Sequence, residues 1–194
     1  MTHPLQDLIH RLRSMPPAPG PELFEDLGEW ISSAPITAGE LRDLLDFQPQ
    51  CYTRTLLFRS ELREVLLLCW SPGQVSSVHD HDGQRGWVRV LSGSIEETLY
   101  ARQVGPDGAL APVCCQLFDA SPAVVTVDET RAIHRLRNAS SPESGGRAVT
   151  LHVYSRPVES CGVYDVNSGE TQRLELSYDN RRDSSWGEPR VLGS

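Results

Sequence analysis

From residue 51 onward the chain is a succession of short aliphatic and β-branched runs separated by turn signals, and this texture restricts its fold more than any other feature. The runs are Cys51–Phe58, Arg63–Trp70, Ser76–His81, Trp87–Ser92, Ser94–Arg102, Val113–Phe118, Ala123–Val127, Ala132–Arg137, Ala148–Tyr154, Gly162–Val166 and Gln172–Tyr178. Turn chemistry lies between them at Ser71-Pro72-Gly73, Ser92-Gly93, Gly105-Pro106-Asp107-Gly108, Ser140 through Gly146 and Asn167-Ser168-Gly169. Many short strands at this spacing predict a mainly β fold, a small barrel or jelly roll.

The first quarter reads differently. Leu5, Leu8, Ile9 and Leu12 recur at helical spacing, which predicts a helix from about 4 to 14, closed by Pro16, Pro17 and Pro19. A second helix is expected from near Pro21 through Leu23, Leu27 and Trp30. A third is expected across Ala38–Leu45, where Thr37 and Glu40 form a capping-box pattern. The polar stretch from about Asn180 to Ser194 is expected to be loose. The expectation is one domain over 1–194: N-terminal helices over about 1–48 packed on a β-barrel over about 50–180, then a polar tail.

Composition excludes several classes. A formal charge of -8 argues against broad nucleic-acid binding, which needs clustered Lys and Arg. No apolar run approaches the roughly 20 residues that span a bilayer. The amino terminus lacks a secretory apolar region, and the five cysteines fit neither a disulfide framework nor a zinc site. A reducing cytoplasm is the expected compartment and a monomer the expected state.

Two of the six histidines stand one residue apart in Ser76-Ser77-Val78-His79-Asp80-His81. In a strand, residues two apart share a face, so both imidazoles would point one way and could chelate a divalent metal. The plainer alternative is one exposed histidine and one hydrogen-bonded in the core. Asp80 and Asp82 read as turn or solvent residues, and Trp70 as packing.

The surroundings resemble the first motif of the cupin superfamily: Gly73, five residues, His79-x-His81, and a later Gly93. Gly86 stands where a cupin glutamate is expected. His134 and Asn138 resemble the end of the second motif, with Glu129 and Arg131 in place of its proline and glycine. The resemblance implies three neutral imidazoles and no carboxylate. Such a set leaves the charge of a divalent ion uncompensated, which favours an anionic ligand such as a thiolate.

More of the chain, from about Cys51 to Asp165, resembles the cysteine dioxygenase family of thiol dioxygenases. The matching stretches are Cys51-Tyr52-Thr53-Arg54, Leu68-Cys69-Trp70, Ser76 to His81, Leu91-Ser92-Gly93 with Glu97-Thr98, Ile133-His134-Arg135, and Thr150-Leu151-His152-Val153-Tyr154. The resemblance implies an Fe(II) site at His79, His81 and His134. It implies substrate-carboxylate binding by Arg54 with Tyr52, and an outer relay of Thr150, His152 and Tyr154, threonine replacing the family's serine. Animal members carry a cysteine, crosslinked to the tyrosine, where this chain has Gly86; Tyr154 is therefore expected as a free phenol, with Cys161 near the pocket edge. The implied reaction joins L-cysteine and O2 to give cysteine sulfinate. The alternatives are another small thiol such as 3-mercaptopropionate, or a cupin that binds metal or ligand without turnover.

Overall fold

The computed structural model describes residues 3–17, 20–104, 108–120, 124–127 and 133–182. Pro19, the expected turn at Gly105-Pro106-Asp107, Ala123, the positions Glu129 and Arg131, Ala132, and the tail beyond Arg182 lie outside the described residues.

Helix α1 spans Pro4–Ser14 and α2 spans Pro21–Ser33. Each starts on a proline, whose missing N–H costs nothing in a first turn. In α1 the His3 ring accepts from the Leu5 N–H, with Asp7 near the positive end of the helix dipole and Arg11 and Arg13 near the negative end. Leu5, Leu8, Ile9 and Leu12 form its buried stripe.

The third helix is not an α-helix. The Thr37–Glu40 capping box forms, with Thr37 N–H donating to Glu40 Oε2 at 2.9 Å and Glu40 N–H to Thr37 Oγ1 at 3.3 Å. The chain then makes a turn and one 3-10 turn, Arg42–Leu44, ended by an extended Leu45. Gly39 lies inside the first turn and the remaining stretch is too short to repay helix nucleation.

The β region builds two sheets. Strands β1 (Thr53–Arg59), β2 (Glu64–Trp70), β3 (Gly86–Ser92), β6 (Val124–Val127), β8 (Ala148–Tyr154) and β11 (Asn180–Arg181) form the larger, in the order β11-β1-β2-β8-β3-β6. Strands β4 (Ser94–Arg102), β5 (Leu110–Asp119), β7 (His134–Asn138), β9 (Ser160–Tyr164) and β10 (Thr171–Glu175) form the other, as β5-β4-β7 and the pair β10-β9. Residues 75–79 stitch β7 to β9, because His79 bridges both His134 and Val163 and Val75 bridges Arg137. The result is an open two-sheet jelly roll with N-terminal helices rather than a closed barrel.

Two expectations change here. Ser76–His81 is not a regular strand but a run of single bridges that turns at Asp82 and Gly83, both with positive φ. The polar end is not loose throughout, since Asn180 and Arg181 pair in parallel with Thr55 and Leu56 of β1.

Every residue of β2 and β8 is buried, because the large sheet is covered on both faces. Val65, Leu67, Cys69, Val149, Leu151 and Val153 pack with the helices in one cluster. Leu66, Leu68, Trp70, Ala148 and Tyr154 pack with Ile95 of β4 and Leu136 of β7 in a second cluster between the sheets. The chemistry lies in this inter-sheet layer.

Candidate metal centre and substrate pocket

His79 and His81 come from the stitching segment and His134 from the start of β7. The main chains of His79 and His134 exchange two N–H···O bonds of 2.9 Å, which fixes their approach. The three ring centroids lie 4.8 to 5.1 Å apart, and one potential ligand nitrogen from each falls within 4.8 Å of the others.

Each ring keeps a nitrogen available as a donor to a metal. His79 Nδ1 lies 2.9 Å from the Ser77 carbonyl, which can only accept, so Nδ1 carries the proton and Nε2 keeps its lone pair. His134 Nδ1 lies 2.7 Å from Glu97 Oε1 in a fully buried contact, leaving Nε2 open. A carboxylate behind the ligating ring orients it and raises its basicity. Burial, reinforced by electrostatic coupling to His134, lowers the His79 pKa to about 3. Burial also holds His81 well below its ordinary value, helped by His134 and His79.

Buried His134 Nε2 and His81 Nδ1 have no hydrogen-bond partner. Unpaired buried polar atoms are costly and call for an explanation. Three rings with open nitrogens on one spot fit a shared metal ion.

The cluster opens into a cavity of about 70 Å³. That is room for a molecule of a few heavy atoms, since one water needs roughly 10–15 Å³ on the same measure. Tyr52, Arg54, His152, Tyr154 and Cys161 line it together with the three histidines, and Leu66, Leu68, Leu174 and Leu176 supply apolar wall. All the sequence-predicted site residues are thus gathered at one place except Thr150, which sits directly behind His152.

Arg54 lies on β1, half-buried, with Nη1 donating to the Ser177 carbonyl at 2.8 Å. Apart from Asp80 it is the only fully charged side chain among the described lining residues. Its positive charge is one of the influences lowering the pKa of His152, after burial. Tyr52 stacks on Trp70 with ring centroids 4.2 Å apart.

A polar chain runs along the inner face of β8. Trp70 Nε1–H donates to Thr150 Oγ1 at 3.0 Å, and Thr150 Oγ1 lies 2.8 Å from His152 Nε2. His152 Nδ1 lies 3.2 Å from the Tyr154 hydroxyl. Indole can only donate, so it takes one Thr150 lone pair and leaves the hydroxyl proton available to donate to His152 Nε2. With the hydroxyl donating, His152 is the Nδ1–H tautomer, which donates to Tyr154 and turns the Tyr154 proton away from the chain. Burial pushes the Tyr154 phenol far up, so it stays protonated at neutral pH. A Cβ on Gly86 would lie 2.6 Å from Tyr154 Cδ1, so glycine gives the ring its place.

Several residues carry more than their sequence suggested. Glu97 shares the buried face of β4 with Ile95, and a carboxylate on such a face was the available signal for a partner. Asp80 is a structural knot, not a solvent residue: Oδ1 accepts from Gly162 N–H at 2.9 Å and Oδ2 from the Tyr164 hydroxyl at 2.5 Å. Asp82 pairs with Arg173 at 2.7 and 2.9 Å. Trp70 does more than pack, since it opens the polar chain. Asn138 holds the main chain, donating to the carbonyls of Trp70, Ser71 and Gly146.

No helix among the described residues is long and apolar enough to cross a membrane. Comparison with known proteins agrees with the geometry. The chain is 26% identical to human Cysteine dioxygenase type 1 over 136 residues, covering 70% of this chain and 66% of the human protein, and so spans just under two thirds of that relative's length. It is 26% identical to the Danio rerio protein of the same name over 181 residues, covering 81% and 87%. Among solved structures, a Thermus thermophilus protein aligns at 25% identity and a TM-score of 0.43, covering 60% of this chain and 93% of that one. A Klebsiella pneumoniae protein with a double-stranded β-helix domain aligns at 14% and 0.44, covering 71% and 94%. The family model described as Cysteine dioxygenase type I matches residues 27–167, most of the chain, and the chain belongs to that family.

Proposed function

We propose that this chain is an Fe(II)-dependent dioxygenase that converts the thiol of L-cysteine to the sulfinate. The observation that carries the reading is the meeting of three imidazoles and one guanidinium around a single small cavity. His79, His81 and His134 would hold the iron, which supplies the activation of O2 and a Lewis-acidic partner for the thiolate. Both atoms of O2 end on sulfur, RSH + O2 → RSO2H, so no external reductant is needed.

The remaining work falls to the protein. Arg54 holds the substrate carboxylate through charge-assisted hydrogen bonds, and Tyr52 closes the same end of the pocket. Holding the carboxylate fixes the thiol end in the cavity and limits its motion. Tyr154, with its proton turned outward by Thr150 and His152, donates a hydrogen bond to negative charge developing near sulfur or oxygen. The apolar wall of Leu66, Leu68 and Leu176 keeps bulk water from that charge.

The only acidic side chain among the described lining residues is Asp80, and it is occupied by Gly162 and Tyr164. Among the described lining residues no carboxylate is therefore left to pair with the substrate ammonium, and discrimination between cysteine and 3-mercaptopropionate falls on the metal position. The test is anaerobic loading with iron, then a panel of cysteine, cysteamine and 3-mercaptopropionate followed by O2 uptake and sulfinate detection. Stoichiometric cysteine sulfinate is expected. Metal binding without O2 consumption by any thiol would leave a non-catalytic cupin.

A further inference from the structure

The matched family region ends at residue 167, yet the Arg54 side chain contacts Ser177 and Tyr178 beyond it. The strap from Leu174 to Arg182 gives Leu174 and Leu176 to the cavity wall and then runs beside β1. Leu176 N–H donates to the Glu159 carbonyl at 2.8 Å, and Arg182 N–H to the Leu56 carbonyl at 2.8 Å. Asn180 Nδ2 donates to Asp46 Oδ2 at 2.8 Å.

Between these anchors the strap grips Arg54 at both main chain and side chain. Arg54 N–H donates to Asp179 Oδ2 at 2.7 Å, and Asp179 N–H donates back to the Arg54 carbonyl at 2.9 Å. The guanidinium gives Nη1 to the Ser177 carbonyl and lies 5.7 Å from the centre of the Tyr178 ring. The ring is itself immobilised. Its hydroxyl donates to Glu64 Oε1 and accepts from Arg59 Nη1 at 2.5 Å, and Glu64 is fully buried. Arg59 and Arg181 lie 5.9 and 5.6 Å from the same ring, so Tyr178 gathers three guanidinium groups around one π system.

An arginine side chain has several rotatable bonds, and ordering it in a half-open site costs conformational entropy. An arginine that must meet a carboxylate with a bidentate fork gains most from being ordered in advance. The electron-rich ring face attracts the cation, and the Ser177 carbonyl occupies one N–H, leaving the rest of the fork for a ligand.

We propose that Tyr178 is a positioning residue for carboxylate recognition: anchored on Glu64, it orients Arg54 and so sets the preference for thiols that carry a carboxylate. The inference rests on the reading of Arg54 as the carboxylate clamp. It does not depend on which carboxylate-bearing thiol is the natural substrate.

The test uses the full chain loaded with iron, in the variants Tyr178→Leu, Tyr178→Phe and Arg54→Ala. KM and kcat are measured for cysteine, 3-mercaptopropionate and cysteamine, and anaerobic Kd values for the same thiols by calorimetry. For Tyr178→Leu, KM and Kd for the two carboxylate-bearing thiols should rise about tenfold, with kcat within about twofold and cysteamine unchanged. Tyr178→Phe keeps the ring but loses the Glu64 anchor, and should show a smaller rise, about threefold. Iron content should equal that of the parent in both. If Tyr178→Leu does not fold, the phenylalanine variant carries the test.

Equal losses for cysteine and cysteamine in the Tyr178 variants, or unchanged KM values throughout, would overturn the proposal. Arg54→Ala separates the two levels. If it leaves the ratio of cysteine to cysteamine binding unchanged, the clamp reading fails and this inference with it. If it collapses that ratio while the Tyr178 variants do not alter it, only the positioning role fails.

Discussion

The two faces of strand β8 are both buried and chemically opposite. Val149, Leu151 and Val153 meet the helices, where any well-packed aliphatic group would serve. Thr150, His152 and Tyr154 meet the second sheet, where each polar atom needs a particular partner and has one. The comparison separates what makes the chain fold from what makes it react. The outer face is held by area and shape, which tolerate conservative exchange. The inner face is held by directed hydrogen bonds, in which losing one partner strands another. Such a division lets the helices carry stability while the inter-sheet layer keeps three imidazoles close together.

The largest effect should come from the inner layer. His134→Ala removes a proposed metal ligand and a partner of Glu97, yet no apolar packing of consequence. It should abolish iron retention and lower turnover about 10³-fold or more, and, because it strands the buried Glu97 carboxylate, it should also lower the unfolding temperature of the metal-free protein. Glu97→Gln should keep the three rings but weaken iron affinity about tenfold or more, as loss of a carboxylate behind a ligating ring does. Metal analysis after dialysis and thermal unfolding check both. Full iron in His134→Ala would remove that histidine from the ligand set.

The outer face should behave in the reverse sense. Leu151 is fully buried among helix and sheet side chains, so Leu151→Ala should cost about 2–5 kcal/mol of stability. Iron bound per folded molecule and KM should stay at parental values. Urea unfolding combined with activity per folded molecule reads the two quantities apart. A Leu151→Ala protein that keeps its stability but loses iron would erase the division between the faces.

The same division explains what could be read from the chain alone. Helix α1 was legible because its stripe is local, and most strands were legible because their alternation is local. The His79 and His81 pair was legible by spacing although its setting was not: the segment is irregular and held by Gly162 and Tyr164 through Asp80. The expected helix over 38–45 failed because a correct cap does not by itself supply enough turns. Glu97 stayed hidden because its partner is 37 positions away on a neighbouring strand. The strap at Ser177–Arg181 stayed hidden for the same reason. Its polar residues look solvated until β1, Glu64 and Asp46 are placed against them.

The smallest predicted effect tests whether the inner face is held neutral. Burial, aided by the charge of Arg54, lowers the His152 pKa from 6.5 to about 3. Between those values the unfolded chain binds a proton at His152 that the folded chain refuses. Stability is therefore complete above about pH 6.5 and is lost as pH falls toward 3, with a slope of at most about 1.4 kcal/mol per pH unit from this group. His79 and His81 are also depressed and add to the loss in metal-free protein, so the contribution of His152 must be taken as a difference. Metal-free His152→Gln should start less stable than the parent at pH 7.5, since Thr150 and Tyr154 lose their shared partner. On descent to pH 5 its unfolding free energy should fall less steeply than the parent's, so the two curves converge. Urea unfolding at half-unit pH steps gives both slopes. Parallel curves would mean that His152 takes up its proton as readily in the folded chain as in the unfolded one, and that the inner face of β8 is as open to charge as the surface.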